Sequence, residues 1–267
     1  MFRNGWFWLV LLAIIVVATG FCFVIFCPQV QIERIIISGN HEATRSGIEE
    51  AVVASITHDL LGIGSWHVYS KSIFLVNAGH LEKKILNKFA IIDRVNISRE
   101  FLQTITVDVS ERRPVAVFCP SLNVNIFGEQ CYFLDSSGVI FKTADSTSGQ
   151  YLIVRQSFIE PIVFGQQIMA QDTMASFLMI DKTLKDNFQI GVKNAIFASD
   201  SKINIITNEN WYIYLGYGPN YSSSEQITKL NSLLEKGISA QERKDLRYVD
   251  LRPESRAIFC DNNTCGG

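Results

Sequence analysis

Residues 94–118 read RVNISREFLQTITVDVSERRPVAVF, and apolar and polar positions alternate through them with a period of two. Val95 and Ile97 alternate with polar neighbours, and a polar break falls at 98–100. Ile105, Val107 and Val109 then alternate with Thr104, Thr106, Asp108 and Ser110. Successive side chains of a strand point to opposite faces, so this spacing suits a sheet with one buried face and does not suit a helix. Two such runs around a short polar break predict a β-hairpin. Pro114 has no N–H for a ladder, so it marks a break between units. Residues 115–118 are apolar again. One folded unit therefore closes near Glu111, and another opens after Pro114.

Residues 6–26 carry no charge over twenty-one positions. As a helix they would reach about 32 Å, enough for a hydrocarbon core of about 30 Å. Trp6 and Trp8 sit where an aromatic belt would lie. The run is longer than the apolar part of a cleaved signal peptide, although Ala18-Thr19-Gly20 offers a small-residue cleavage site. A retained anchor is expected. Arg3 and the terminal amine precede it, and Glu33 and Arg34 follow. Positive charge favours the cytoplasmic side, which leaves the bulk of the chain outside.

Past the anchor, 31–37 reads as a strand stopped by the turn cluster Ser38-Gly39-Asn40. Ile48, Ala51, Val52, Ser55 and Ile56 form one helical face, with Thr44 as N-cap. A loop is expected over 59–72, containing Trp66, His67 and Tyr69. Residues 73–76 lead to Asn77, which can cap a helix facing inward through Leu81, Ile85 and Phe89. Beyond Pro114, short strands are expected at 115–119, 124–127, 131–134 and 139–141, with a turn at 135–138, a loop at 144–149 and a strand at 151–154. Met174, Phe177, Leu178, Leu184 and Phe188 share a helical face. Strands follow at 195–199, 202–207 and 211–216. Ser222 and Glu225 have capping-box spacing ahead of Ile227, Leu230 and Leu234, and Gly237 suits the C′ position. Strands at 246–251 and 256–260 flank Pro253.

These motifs carry a resemblance. The outgoing hairpin strand with Glu111-Arg112-Arg113-Pro114-Val115-Ala116 resembles the end of the POTRA domain in the bacterial cell-division family FtsQ/DivIB. Leu102 stands where that family has proline. The order strand, helix, helix, strand, strand is that of a POTRA domain, and Ser38-Gly39-Asn40 is similar to the family's first-strand ending. Leu246-Arg247-Tyr248-Val249-Asp250-Leu251-Arg252 is similar to its Y-V/I-D-L-R motif, and the turn at 135–138 has a counterpart there too. The resemblance implies an α+β protein. Its parts would be a cytoplasmic N-terminus and transmembrane helix at 1–27, a POTRA domain of order β-α-α-β-β at 28–111, a mostly antiparallel β domain with flanking helices at 112–260, and a tail at 261–267. It also implies a non-catalytic divisome assembly protein in the cell (inner) membrane at the division septum, single-pass and type II. Such proteins bind FtsB/DivIC-like and FtsL-like membrane proteins and couple septum assembly to septal peptidoglycan synthesis. No cofactor, metal, nucleic acid or small-molecule substrate is implied.

Two other classes fit the chain less well. A POTRA protein of outer-membrane export would be followed by a long series of alternating barrel strands, and none is expected here. An anchored cell-wall enzyme would need a nucleophile or metal constellation. The chain shows no phosphate loop, G-x-S-x-G or H-E-x-x-H. Its four histidines, His41, His58, His67 and His80, lack ligand spacing. Asp108 and Glu111 fall on opposite faces of one strand, so they are no acid–base pair. Asp250 and Arg252 share a face and suit a salt bridge, while Arg112 and Arg113 are expected to be solvated at the junction. A net charge of −2 with a pI near 6.1 indicates no nucleic-acid surface.

Cys119 and Cys131 flank a strand turn expected near Asn125 or Gly128, and Cys260 and Cys265 bracket the tail. In an oxidising compartment each pair is a candidate disulfide, with three connectivities open. Zinc is the second reading, without C-x-x-C support. The strand at 256–260 is the last element and is expected to be an exposed edge. In the family resembled, FtsB docks at this strand by strand addition. That implies partner contacts at Ser255, Arg256, Ala257, Ile258 and Phe259, with Pro253 standing where a family member carries an aromatic contact. The competing expectation is that 261–267 covers the edge. Proline at Ile258 is expected to remove one ladder donor and leave the core intact.

The anchor reading has a direct check. Protease added to sealed cells with permeable walls should digest the body of the chain. Full protection, or a mature N-terminus near Phe21, would exclude a retained anchor.

Overall fold

Twenty-two consecutive residues without a charged side chain form α1 (Gly5–Phe26) in the computed structural model. The structure describes residues 5–63, 66–100, 103–120, 130–144, 151–157, 160–199, 201–262 and 265. The hydroxyl of Thr19 donates to the Ile15 carbonyl at 2.7 Å, which satisfies the polar group inside the apolar run. Among the described residues, α1 is the one helix long and apolar enough to cross a membrane, and its span at Trp6–Phe23 is not buried by protein. The chain divides into two units, Met1–Arg112 and Arg113–Gly267.

The first unit continues with a 3₁₀ turn at Pro28–Val30 and β1 (Arg34–Ser38). The strand begins three residues later than the apolar pattern suggests. Pro28 favours the tight turn, and Gln31 makes only an isolated bridge to Ser72. Then come α2 (Arg45–Ile56), β2 (His58–Ile63), β3 (Trp66–Ser70), α3 (Ala78–Lys88), β4 (Ile92–Glu100) and β5 (Thr104–Glu111). The expected loop over 59–72 is largely the antiparallel hairpin β2–β3, whose backbones pair from His58–Ser70 to Ile63–Trp66. The polar break at 98–100 is not the turn: Ser98, Arg99 and Glu100 pair with Thr106, Ile105 and Thr104 as the end of β4, and Phe101 and Leu102 beyond them lie outside the described residues.

The sheet order is β1-β5-β4, with β1 parallel and β4 antiparallel to the central β5. Ile37, Val107 and Ile97 stand opposite one another across it. Together with Ile105, Val109 and Val95 they pack against Ile48, Ala51, Val52 and Ile56 of α2 and Leu81 and Ile85 of α3. Alternation on β5 and 3.6-periodicity on the helices thus meet in one core. Asn77 caps α3 as expected, its Oδ1 accepting from the His80 N–H at 3.0 Å. Thr44 holds the N-cap position of α2 without a side-chain capping bond.

Glu111 explains why the unit closes where it does. Its carboxylate accepts the backbone N–H groups of His41 and Ala43 at 2.8 Å and of Glu42 at 3.0 Å. The last residue of β5 therefore holds the loop leading to α2. Gly39 lets that loop approach: it has φ +79°, and a Cβ there would lie 2.0 Å from the Val109 carbonyl oxygen. Asp108, on the opposite face, accepts from the Ser38 hydroxyl. Arg112 is not solvated at the junction as expected. Its side chain is 14% exposed, donating to the Ala90 carbonyl at 3.0 Å and to Asp93 at 3.2 Å. Sequence alone gives no signal for a carbonyl acceptor twenty-two residues back.

The second unit contains β6 (Ala116–Pro120), β7 (Tyr132–Leu134), β8 (Ile140–Thr143), β9 (Leu152–Gln156), α4 (Gln171–Phe188), β10 (Val192–Ser199), β11 (Lys202–Thr207), β12 (Tyr212–Gly216), α5 (Ser223–Lys236), β13 (Leu246–Asp250) and β14 (Ile258–Asp261). They form one sheet of order β14-β13-β12-β11-β10-β9-β6-β7-β8. It is mostly antiparallel: β6–β9, β9–β10 and β12–β13 are the parallel pairs among its eight. The strand expected at 124–127 and most of the loop at 144–149 lie outside the described residues.

One face of this sheet packs Phe118, Val154, Ala195, Ile205, Ile213 and Val249 against α4 and α5. Met174, Phe177, Ile180 and Leu184 of α4 are buried there, while Leu178 and Phe188 only border the core. Ser222 caps α5 by accepting from the Glu225 N–H at 3.4 Å. Gly237 is not the left-handed C′ residue expected, since its φ is −112°. That conformation occurs instead at Gln189, φ 60°, at the end of α4.

Burial raises the Glu111 pKa, but N–H bonds from Glu42, Ala43 and His41 and the charge of His41 outweigh it, so the net shift is downward. A lowered folded-state pKa stabilises the protein fully above the unfolded value, and that stability is lost as pH falls through the folded value. Glu111→Gln should therefore cost about 1–2 kcal/mol at neutral pH, and the deficit should shrink in acid as wild type itself protonates. Denaturant unfolding at pH 7 and pH 3 measures both. An equal deficit at the two pH values would show that the carboxylate charge is not what holds the loop.

Candidate partner-binding edge

A nine-stranded open sheet has two edges, and this one treats them differently. At β8 the irregular segment that follows β9 takes the place of a further strand. Ile140 donates to the Gln166 carbonyl at 3.0 Å and accepts from the Gly165 N–H at 2.7 Å. Val139 bridges Gln167, and the Ile168 N–H reaches the Gly138 carbonyl at 3.0 Å. That edge is covered from Gly138 to Ile140. At the other end β14 pairs with β13, in register Asp250–Ile258, Val249–Phe259 and Tyr248–Cys260.

Which backbone groups of β14 face outward follows from the ladder. The Leu251 N–H donates to the Tyr214 carbonyl at 3.0 Å, so Leu251, and by alternation Val249, direct their backbone groups toward β12. Tyr248 and Asp250 therefore face β14, and their partners Cys260 and Ile258 face back. The Asn262 N–H, donating to the Asp245 carbonyl at 3.1 Å, keeps the same phase. Phe259 N–H and C=O and the Ala257 carbonyl point away from the sheet. Among the described residues nothing pairs with them there. Ile258 and Phe259 are 41% and 37% exposed, two apolar side chains on opposite faces beside an open hydrogen-bonding edge.

The structure also places the expected contact residues. Ile258 and Phe259 lie on the strand, whereas Ser255, Arg256 and Ala257 lie in the connection before it, since β14 starts two residues later than the pattern suggests. Two clamps set that connection. Arg252 folds back on Asp250, its Nε donating to Oδ1 at 2.8 Å and its own N–H to the same oxygen at 3.0 Å. Lys229 of α5 donates to the Leu251 and Pro253 carbonyls at 2.9 and 2.6 Å. The sequence offers no cue to Lys229, which sits twenty-two residues before its first acceptor. Proline at Ile258 is a poor probe of the edge, because the Ile258 N–H belongs to the β13 ladder; the outward donor is at Phe259.

Beside the edge, the face not covered by helices carries Ile258, Asp250, Tyr214, Asn204 and Ile196 in one row across five strands. Tyr214 stacks on Tyr248 at 5.1 Å, and Lys202 Nζ lies 4.2 Å from its ring centre. Burial, then the neighbouring Tyr212, Tyr248 and Asp250, raise the Tyr214 pKa. Burial works against ionised Asp250, but the hydrogen bonds and charge of Arg252, with Lys202, bring its pKa below the usual value. Such pairs fix geometry more than they add stability. Cys260 is bonded to Cys265, with Cα atoms 5.6 Å apart, and Cys119 to Cys131 at 4.4 Å. The turn residues Asn125 and Gly128 lie outside the described residues. Among the described residues no three His, Cys, Asp or Glu side chains gather as a metal site.

Residues 30–112 match the family described as POTRA domain, FtsQ-type. The chain carries an FtsQ-type POTRA domain. The match supports an FtsQ/DivIB-like protein, and at family level a role of divisome type in a generally non-catalytic family. No curated protein matches the chain. The two FtsQ-like motifs that bracket the domain, Ser38-Gly39-Asn40 and the Glu111 strand ending, are halves of one contact. The apolar α1 fits a single-pass membrane protein.

The assignment of outward groups is measurable by amide hydrogen exchange on the full chain in detergent. The Phe259 N–H should exchange at least about tenfold faster than those of Ile258 and Cys260. Slower exchange at Phe259 than at its two neighbours would reverse the phase of β14.

Proposed function

We propose that this protein is a non-catalytic assembly factor of the divisome that captures its partner by strand addition at β14. The observation that carries the reading is the contrast between the two sheet edges: the start of β8 is covered by its own chain, whereas Phe259 of β14 and Ala257 just before it face outward beside exposed apolar side chains. An open edge of this kind supplies main-chain hydrogen bonds for affinity and alternate side-chain positions for specificity. Arg256, exposed just ahead of the strand, favours an acidic segment on the partner. The partners would be FtsB/DivIC-like and FtsL-like membrane proteins, and binding would link septum assembly to septal peptidoglycan synthesis. In this reading 1–27 is the cytoplasmic end and anchor of a type II inner-membrane protein, 28–111 the POTRA domain, 112–260 the binding domain and 261–267 its tail, with the body outside the cytoplasm.

The test is a pair of variants in the full chain, assayed for capture of the FtsB/DivIC-type protein from the same cells. Phe259→Pro removes the outward N–H, and its demand for an extended preceding residue is already met by Ile258. It should weaken capture by about tenfold or more. Phe259→Ala keeps the N–H and should lose less. Exchange protection at Ile213, in the sheet interior, checks that both variants are folded. Full capture by folded Phe259→Pro would overturn strand addition at this edge.

A further inference from the structure

The proposed docking edge is short. β14 has four residues, is held by one neighbour, and directs only Ile258 and Cys260 into the ladder before Asn262 takes over at Asp245. A strand this short with a single neighbour has little cooperative support. Immediately after it the backbone turns. The Cys265 N–H donates to the Asp261 carbonyl at 3.2 Å, and the side chain of Cys265 returns to Cys260 through the disulfide. Cys260 itself is 2% exposed and stands opposite Tyr248 in the sheet. A small covalent ring is therefore built directly onto the end of the edge.

The ring has two consequences for strand addition. By alternation Asp261 is the next residue after Phe259 to face outward, and its carbonyl is occupied by the Cys265 N–H. Among the described residues the acceptors open to a partner are then those at Ala257 and Phe259, and a strand laid along β14 would end at the ring. The second consequence is anchoring. Closing the loop restricts the unfolded alternatives of 260–265, so fraying of β14 from this end becomes less favourable.

We propose that the Cys260–Cys265 ring is the positioning element of the docking edge: it holds β14 on the sheet and limits the partner to a short segment centred on Phe259. This rests on the strand-addition reading for what docks, but not for what the ring does to β14. Outside the cytoplasm a disulfide is sustained by the compartment, so the ring needs no further component of the protein.

The experiment uses the full chain in detergent without partner, as wild type and as Cys265→Ser, compared by amide exchange. Loss of the ring should speed exchange at Ile258 and Cys260 by about tenfold or more while Ile213 stays protected. Treating wild type with a dithiol reductant should reproduce the change at β14, and a Cys119→Ser/Cys131→Ser variant kept oxidised should not. Unchanged exchange at Ile258 and Cys260 in Cys265→Ser would overturn the proposal. Because no partner is present, that failure is separate from any failure of Phe259→Pro to weaken capture.

Discussion

Every β-strand carries two rows of backbone donors and acceptors, and a sheet satisfies both rows only in its interior. This requirement organises the second unit. Among the described residues seven of its nine strands are interior, and the start of β8 is satisfied by an irregular return of the chain. On β14 one row has no partner among the described residues. The apolar core would be equally well buried with that row capped, so hydrophobic packing does not explain why it is open. An uncovered edge is a hazard for aggregation, and its brevity, the preceding Arg256 and the ring at Cys260 all limit that hazard.

The same accounting closes the first unit. The backbone turn at 41–43 presents three N–H groups in one direction, and the Glu111 carboxylate receives them. A strand end and a helix entry that are about seventy residues apart in sequence become one structure through a single side chain. Gly39 is part of that contact, because only a residue without Cβ tolerates both the positive φ and the approach to Val109. Arg112 then ties the residue after the strand to the start of β4.

Buried polar groups show the principle at finer scale. Gln226 is 3% exposed, yet its amide donates to the Gly216 carbonyl and accepts from the Gly216 N–H, both at 2.9 Å. A helix side chain thus does what a further strand would do at the end of β12. Lys229, one turn later, does the same for the carbonyls of Leu251 and Pro253. The Lys229 contacts, with Arg252 on Asp250, hold the connection between β13 and β14 and so place the edge.

The sequence by itself determined what local periodicity and local chemistry control. The β4–β5 hairpin, the uncharged α1, the inward faces of α2, α3 and α5, the Asn77 and Ser222 caps and the turn at Asp135 were all legible, because each depends on residues within about one turn or one strand of each other. The Glu111 strand ending was visible as a motif but not as a contact. Hidden from sequence were the β2–β3 hairpin, whose pairing has a weak alternating pattern; the interleaving of parallel and antiparallel pairs, which is a choice among distant strands; and the start of β14, set by Lys229 and Arg252 rather than by hydrophobicity. The phase of β14 was hidden for a further reason. Ile258 and Phe259 are both apolar and adjacent, and nothing in their side chains says which N–H turns toward β13. That is fixed only by the ladder running through β12 and β13, since backbone direction alternates along a strand and its absolute phase comes from the neighbour.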